Sequence, residues 1–175
     1  MHDARRLPPL HSSPSDSPTR QLYRTLEMRL LDVNTLKLHT FYGDAIPRYA
    51  ILSHNWLQDD EEITFQQIQD PDTCRHKQGF RKIELLCEQA QRDDWRYAWI
   101  DTACIDKTNS SELSEAINSM FAWYRRAEVC YAYLADISDD AHKSYWNSRW
   151  WTRAWYATLK IEEYIDCRLN VGTFA

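Results

Sequence analysis

Regular apolar patterning starts at Met28. Residues 1–27 hold four of the six prolines (Pro8, Pro9, Pro14, Pro18) and a serine cluster, without periodic apolar positions. A segment with nothing to bury cannot offset its ordering entropy, so residues 1–27 are predicted to be a disordered tail, with Met28 a candidate translation start. Met28–Val33 and Leu36–Phe41 flank an Asp-x-Asn turn and predict a hairpin. Tyr49–Leu52, an apolar run after Pro47, fits a buried strand. Residues 55–77 are polar, with one helical turn predicted at Thr64–Ile68. Phe80, Ile83, Leu86, Cys87 and Ala90 fall on one face of a helix over 78–92. Tyr97–Ile100 is a second buried strand. Asn109, with Glu112 three residues on, has the form of a capping box. The helix it opens carries Leu113, Ile117, Met120, Phe121 and Tyr124 and should end near Ala127. Val129–Leu134 predicts a third strand, 135–148 a polar loop and 149–165 a last helix.

Strand–helix–strand units in succession predict a parallel sheet with right-handed crossovers. The expected fold is therefore an α/β sandwich of flavodoxin-like type, with a mainly parallel sheet preceded by the hairpin and the tail. The expected domain spans 28–165, followed by an unstructured end at 166–175. Ligands of such sheets bind beyond the carboxyl ends of the strands. Those ends fall at 53–56, 101–106 and 136–138, all polar.

Composition narrows the function. The chain has 175 residues, 43% hydrophobic and 27% charged, enough for one domain with its own core. No apolar run reaches the roughly 18 residues of a membrane span, so no membrane insertion is expected. No secretory h-region opens the chain, and a cytoplasmic location is expected. The five cysteines are odd in number and form no C-x-x-C, which signals neither a disulfide framework nor a metal site. A net charge of −5 without a basic stripe speaks against nucleic acid. The three glycines form no phosphate-cradling loop, so a nucleotide would have to be held by side chains and helix N-termini.

Candidate chemistry gathers at the strand ends. Ser53 and His54 can contact a ribose or phosphate and Trp56 can stack on a ring; equally, Ser53 can cap backbone groups and Trp56 can pack on the core. Asp101 and Asp106 flank one strand end. They could act as acid and base or grip hydroxyls, or serve as caps for the loop and the next helix. Cys104 lacks a basic partner in the sequence. Trp150 and Trp155, with Arg153 between them, could form a cation–π platform or close one edge of the core.

Several ordered blocks then resemble one family. Tyr49–Trp56, "Y-A-I-L-S-H-N-W", resembles the "Y-A-I-L-S-H-T-W-G" opening of heterokaryon-incompatibility (HET) domains. Trp99–Lys107, "W-I-D-T-A-C-I-D-K", is similar to their "W-I-D-T-C-C-I-D-K", and Ser111–Tyr124, Val129–Asp136 and Ser148–Trp155 resemble later blocks. The resemblance covers about residues 28–155. It implies an intracellular module of fungal self/non-self recognition and programmed cell death, with a fold like that of Toll/interleukin-receptor (TIR) domains. It also implies homotypic or heterotypic pairing with HET or TIR-like domains. No cofactor is required, and NAD is the substrate implied for the TIR-like members that hydrolyse it with a glutamate. Ser53, His54, Trp56, Asp101 and Arg153 are the binding candidates this gives.

Two departures stand out. Leu57 replaces the family glycine after Trp56. After Trp155 the family continues "T-L-Q-E-L", whereas this chain reads Tyr156-Ala157-Thr158-Leu159, with Leu159 at the glutamate position and Glu162 and Glu163 about one turn on. The domain is thus expected to be cut short or degenerate at its C-terminal end, with no strand after the last helix. Asp101, Asp106, Glu162 and Glu163 remain as catalytic candidates. Two alternatives stand beside an enzyme of this kind: a non-enzymatic interaction module, and a small carbohydrate-active enzyme using Asp101 and Asp106 with Trp platforms.

Overall fold

The computed structural model describes residues 27–136, 148–152 and 167–170, with only the backbone course at 151–152 and 167–170. The chain opens with a hairpin of β1 (Glu27–Asp32) and β2 (Leu38–Tyr42), paired antiparallel with Leu30 opposite His39. Asp32 closes its turn by accepting the backbone N–H groups of Asn34 (3.0 Å) and Thr35 (3.1 Å). Next come β3 (Ala50–His54), helix α1 (Gln78–Arg92) and β4 (Tyr97–Trp99). A single helical turn, α2 (Asp101–Cys104), leads to helix α3 (Ser110–Arg126) and β5 (Val129–Tyr133). The last described strand is β6 (Cys167–Asn170).

These strands form one sheet in the order β2-β1-β4-β3-β5-β6. β3 pairs parallel with β4 and β5, and β5 with β6, but β1 pairs antiparallel with both β2 and β4. The sheet is therefore mixed, parallel across β4-β3-β5-β6 and antiparallel where the hairpin joins it. The hairpin does not stand apart in front of the domain; β1 docks on the β4 edge and extends the sheet. A second difference lies at the C-terminal end. β6 pairs Cys130 with Cys167 and Tyr133 with Asn170, where an unstructured end and no further strand were expected. The pattern of 167–170 is too short and too polar to announce a strand, and pairing with the fully buried β5 supplies what propensity does not.

From β3 the chain crosses in one direction to β4 and then back past β3 to β5. Right-handed crossovers in opposite directions put α1 and α3 on opposite faces. Phe80, Ile83, Leu86, Cys87 and Ala90 of α1 are buried, as their spacing predicts. Trp99 of β4 packs on the other side against Trp123 of α3, with ring centroids 5.4 Å apart. For α3 the expected stripe is corrected in part. Leu113, Met120 and Tyr124 pack against the core as expected, beside the buried Ala116, Ser119 and Trp123, while Ile117 and Phe121 are exposed. Asn109 does cap α3, accepting from Ser111 and Glu112. Glu112 instead accepts the Asp106 backbone N–H at 2.7 Å and pairs with Arg29.

Gly79 fixes the loop between β3 and α1. A Cβ there would lie 2.4 Å from the carbonyl oxygen of Glu61 and 2.9 Å from Glu62 Cα, a backbone contact that cannot yield. The Gly79 N–H donates to that same carbonyl at 2.9 Å, so residues 61–63 lie directly on the start of α1. Leu57 requires no glycine: the only described non-glycine residues with positive φ are Leu36 and Asp94. Of the predicted 149–165 helix, Arg149–Thr152 forms a 3-10 turn and the rest lies outside the described residues, as does the tail before Glu27.

Candidate functional site

The crossover reversal at β3 brings the carboxyl ends of β3, β4 and β5 together, where sheets of this kind form a ligand-binding crevice. His54, the last residue of β3, is buried. Its Nε2 lies 2.8 Å from Asp101 Oδ1, at the start of α2. Trp56 donates its indole N–H to the other oxygen, Asp101 Oδ2, at 2.8 Å. Half-exposed Trp56 is therefore held in place, and the Lys107 ammonium sits 3.6 Å from its ring centroid and 3.9 Å from Asp101 Oδ2.

Behind His54 stands Lys82, whose side chain is wholly buried on α1. Its ammonium has three acceptors: His54 Nδ1 at 3.0 Å, the Asn55 carbonyl at 3.3 Å and Glu62 Oε1. A protonated lysine has three hydrogens to give, so all are used. With Nδ1 accepting, His54 Nε2 carries the proton and donates it to Asp101. The result is one buried chain, Glu62–Lys82–His54–Asp101, ending on Trp56 and Lys107. Burial lowers the pKa of Lys82, opposed by its bond to Glu62; burial likewise lowers Lys107, opposed by Asp101 and Glu62.

Burial alone would raise the Asp101 pKa, but His54, Lys107 and the Trp56 N–H outweigh it and hold the carboxyl well below the usual carboxylate range. A folded value below the unfolded one stabilises at neutral pH, and that contribution disappears as pH falls from about 4 towards the folded value. Asp101→Asn is thus expected to cost on the order of 1.5–3 kcal/mol at pH 7. The difference from the parent protein should narrow at pH 3, as urea unfolding at the two pH values would show. An equal deficit at both would mean that the charge of Asp101 is not what stabilises.

The other candidates are placed as follows. Ser53 accepts the Trp150 indole N–H at 3.0 Å, tying β3 to the segment after β5, where Asp136 accepts from Ser148 at 2.6 Å. Asp106 accepts from Gln66 (2.7 Å) and from the hydroxyl (2.6 Å) and N–H (3.0 Å) of Thr108. It acts as a turn cap while Asp101 is engaged elsewhere. Cys104 is buried, and burial pushes its thiol up to about 12, which does not suit a nucleophile. Arg153, Leu159, Glu162 and Glu163 lie outside the described residues.

Sequence reasoning missed Glu62, Lys82 and Lys107. Lys82 stands three residues after Gly79 and four before Leu86, within the buried stripe of α1, and a charge at that spacing is the signal that was available. Glu62 precedes Ile63 and Phe65, an apolar alternation inside an otherwise polar stretch.

Residues 49–145, which supply nearly all of this crevice, match the model of the heterokaryon incompatibility protein (HET) family. The chain belongs to the HET family. It is 45% identical over 119 residues to the vegetative incompatibility protein HET-E-1 of Podospora anserina, an alignment covering 63% of this chain and 9% of that protein. The chain thus spans about a tenth of the curated relative it matches. No solved structure matches it. Tyr49–Trp56 and Trp99–Lys107, two of the blocks that resemble HET domains, meet through the His54–Asp101–Trp56 bonds. Among the described residues, no helix is long and apolar enough to cross a membrane.

Proposed function

We propose that this HET domain acts in fungal self/non-self recognition and the cell-death response, and that the crevice at His54, Trp56 and Asp101 holds a nucleotide-type ligand, NAD in the TIR-like reading. The observation that carries this is a half-exposed Trp56 locked by an ionised, nearly buried Asp101 at the reversal of the sheet. A packing residue needs no such clamp, whereas a stacking platform does. The order β4-β3-β5-β6 supports the finer fold reading: counted from β3 it runs 2-1-3-4, as in flavodoxin-like sheets. The reaction would be cleavage of the nicotinamide–ribose bond, with a carboxylate stabilising the developing oxocarbenium ion.

The test is nicotinamide release from NAD by purified protein, before and after the residues following Trp155 are changed to the family-like "T-L-Q-E-L". With Leu159 at the glutamate position, the parent chain should turn over 100–1,000-fold more slowly than the repaired one, the size of effect of one lost electrostatic stabiliser. Robust turnover by the parent would move the catalytic role to Glu162, Glu163 or the Asp101–Asp106 loop. A folded but inactive repaired chain would favour the second reading, a cytoplasmic module that pairs with other HET or TIR-like domains. One observation favours that reading: Ile117 and Phe121, one turn apart on α3, are both exposed, at 53% and 42%.

A further inference from the structure

On one side the sheet ends at β2, whose outer edge meets no other strand among the described residues. The ladder to β1 decides which of its backbone groups face outwards. Asp32 donates its N–H to the Lys37 carbonyl at 2.9 Å, whereas the next residue, Val33, donates to the Arg96 carbonyl at 3.0 Å on the β4 side. Alternate residues of β1 thus serve its two neighbours. Leu30 and Met28, in phase with Asp32, bond towards β2, opposite His39 and Phe41. The N–H and C=O groups of Leu38, Thr40 and Tyr42 therefore point the other way, off the sheet. Natural edge strands are usually blunted by charges, prolines or bulges. β2 reads Leu38-His39-Thr40-Phe41-Tyr42, with no lysine, arginine, acid or proline, and its register to β1 runs unbroken. Thr40 and Tyr42 are exposed, Tyr42 at 59%.

We propose that β2 is a self-pairing edge: two copies of the chain join β2 to β2 antiparallel, with Thr40 opposite Thr40 on a two-fold axis, into one continuous sheet. A second copy is the occupant because the edge is its own complement. The outward residues are spaced evenly about Thr40. Reversing the strand sets Leu38 against Tyr42 and Tyr42 against Leu38, and every outward donor meets an acceptor. Slipping the pair by one residue would oppose side chains of opposite faces, and a larger slip leaves outward groups bare. In this register half-buried Leu38 lies beside exposed Tyr42 of the second copy on both sides of the axis. The charges agree as well. Lys37 comes opposite Gly43 of the second copy, next to its Asp44, and Lys37 and Asp44 are both exposed. The proposal rests on the pairing reading given above and names its surface. So short an edge falls below the roughly 1,200 Å² of a standard interface, and a reversible dimer with Kd on the order of 10–100 μM is expected.

The test is sedimentation velocity of the full chain over concentrations that span this Kd, beside Thr40→Lys and Thr40→Glu. Thr40 is exposed and its backbone groups do not bond to β1, so both variants should fold as the parent does. The parent should dimerise. Each variant alone should associate tenfold or more weakly, because like charges then face each other on the axis. An equimolar mixture of the two should regain the parent's dimer, because opposite charges then meet there. Amide exchange followed by NMR in the parent gives a readout that needs no variant. The N–H groups of Leu38, Thr40 and Tyr42 should become protected as concentration rises, while those of His39 and Phe41 are protected throughout. A mixture no better than the separate folded variants overturns the edge. So do outward amides unchanged across the series, whether always fast or, with another segment of the chain covering β2, always protected. Association that persists in both variants removes the edge alone and leaves the pairing reading to another face, such as Ile117 and Phe121. A full chain that stays monomeric overturns the edge and homotypic pairing together.

Discussion

Replacing Trp99 by alanine is expected to unfold the domain or leave it barely folded. Trp99 lies in β4, between β1 and β3, opposite Ile51, and is 1% exposed. Its ring meets Trp123 at 5.4 Å and Tyr124 edge-on at 6.1 Å between centroids, so it couples the sheet to α3. Those neighbours are themselves anchored: Tyr49 donates to the Trp123 carbonyl at 2.6 Å, and Tyr124 to the Leu52 carbonyl at 3.1 Å. With its last turn held by these two bonds, α3 is hindered from moving inwards to refill the space. Large aromatic-to-alanine changes in cores cost about 3–5 kcal/mol, and whole domains have only about 5–15 kcal/mol. Circular dichroism during heating should show the transition abolished or strongly lowered, with Trp99→Phe much milder. An unchanged melt would mean that Trp99 does not couple sheet and helix.

What the chain reveals of itself depends on whether the deciding contact is local. The α1 boundaries and the Asn109 cap are legible because periodicity and capping act within a few residues. Burial of Trp99 is legible because an apolar run leaves a strand nowhere to go but inside. The mixed sheet is not legible. Whether the hairpin docks on the β4 edge depends on the Leu31–Ala98 pairing, far apart in sequence. Along α3 the exposure of Ile117 and Phe121 is not legible, because in the pattern they adjoin the packed Leu113, Met120 and Tyr124. At the site, His54, Trp56 and Asp101 can be named from their place at strand ends, but their roles are set by each other. Asp101 looks like a free acid in the sequence and is in fact bound to an imidazole and an indole.

Lys82→Met should have the other large effect, and its origin is electrostatic. Lys82 fits the volume of methionine, so packing alone would lose little. What it loses is the cation paired with Glu62, together with the donor between His54 Nδ1 and the Asn55 carbonyl, which lie 3.1 Å apart and would then face each other as acceptors. Removing one partner of a buried ion pair costs about 3–5 kcal/mol, because the other is left charged and uncompensated. Replacing both partners with groups that need no counter-charge costs much less. Lys82→Met combined with Glu62→Gln should therefore be more stable than Lys82→Met alone, although it carries one more substitution. In Glu62→Gln the Leu57 N–H, 2.6 Å from Oε1 in the parent, would still find an oxygen. A double-mutant cycle from urea unfolding measures this coupling, with about 1–3 kcal/mol expected for groups in direct contact. Simple additivity would show that Glu62 is stabilised by something other than Lys82. A destabilised Lys82→Met that also loses the fixed environment of Trp56 would show that the chain from α1 through His54 to Asp101 positions the aromatic face of the crevice.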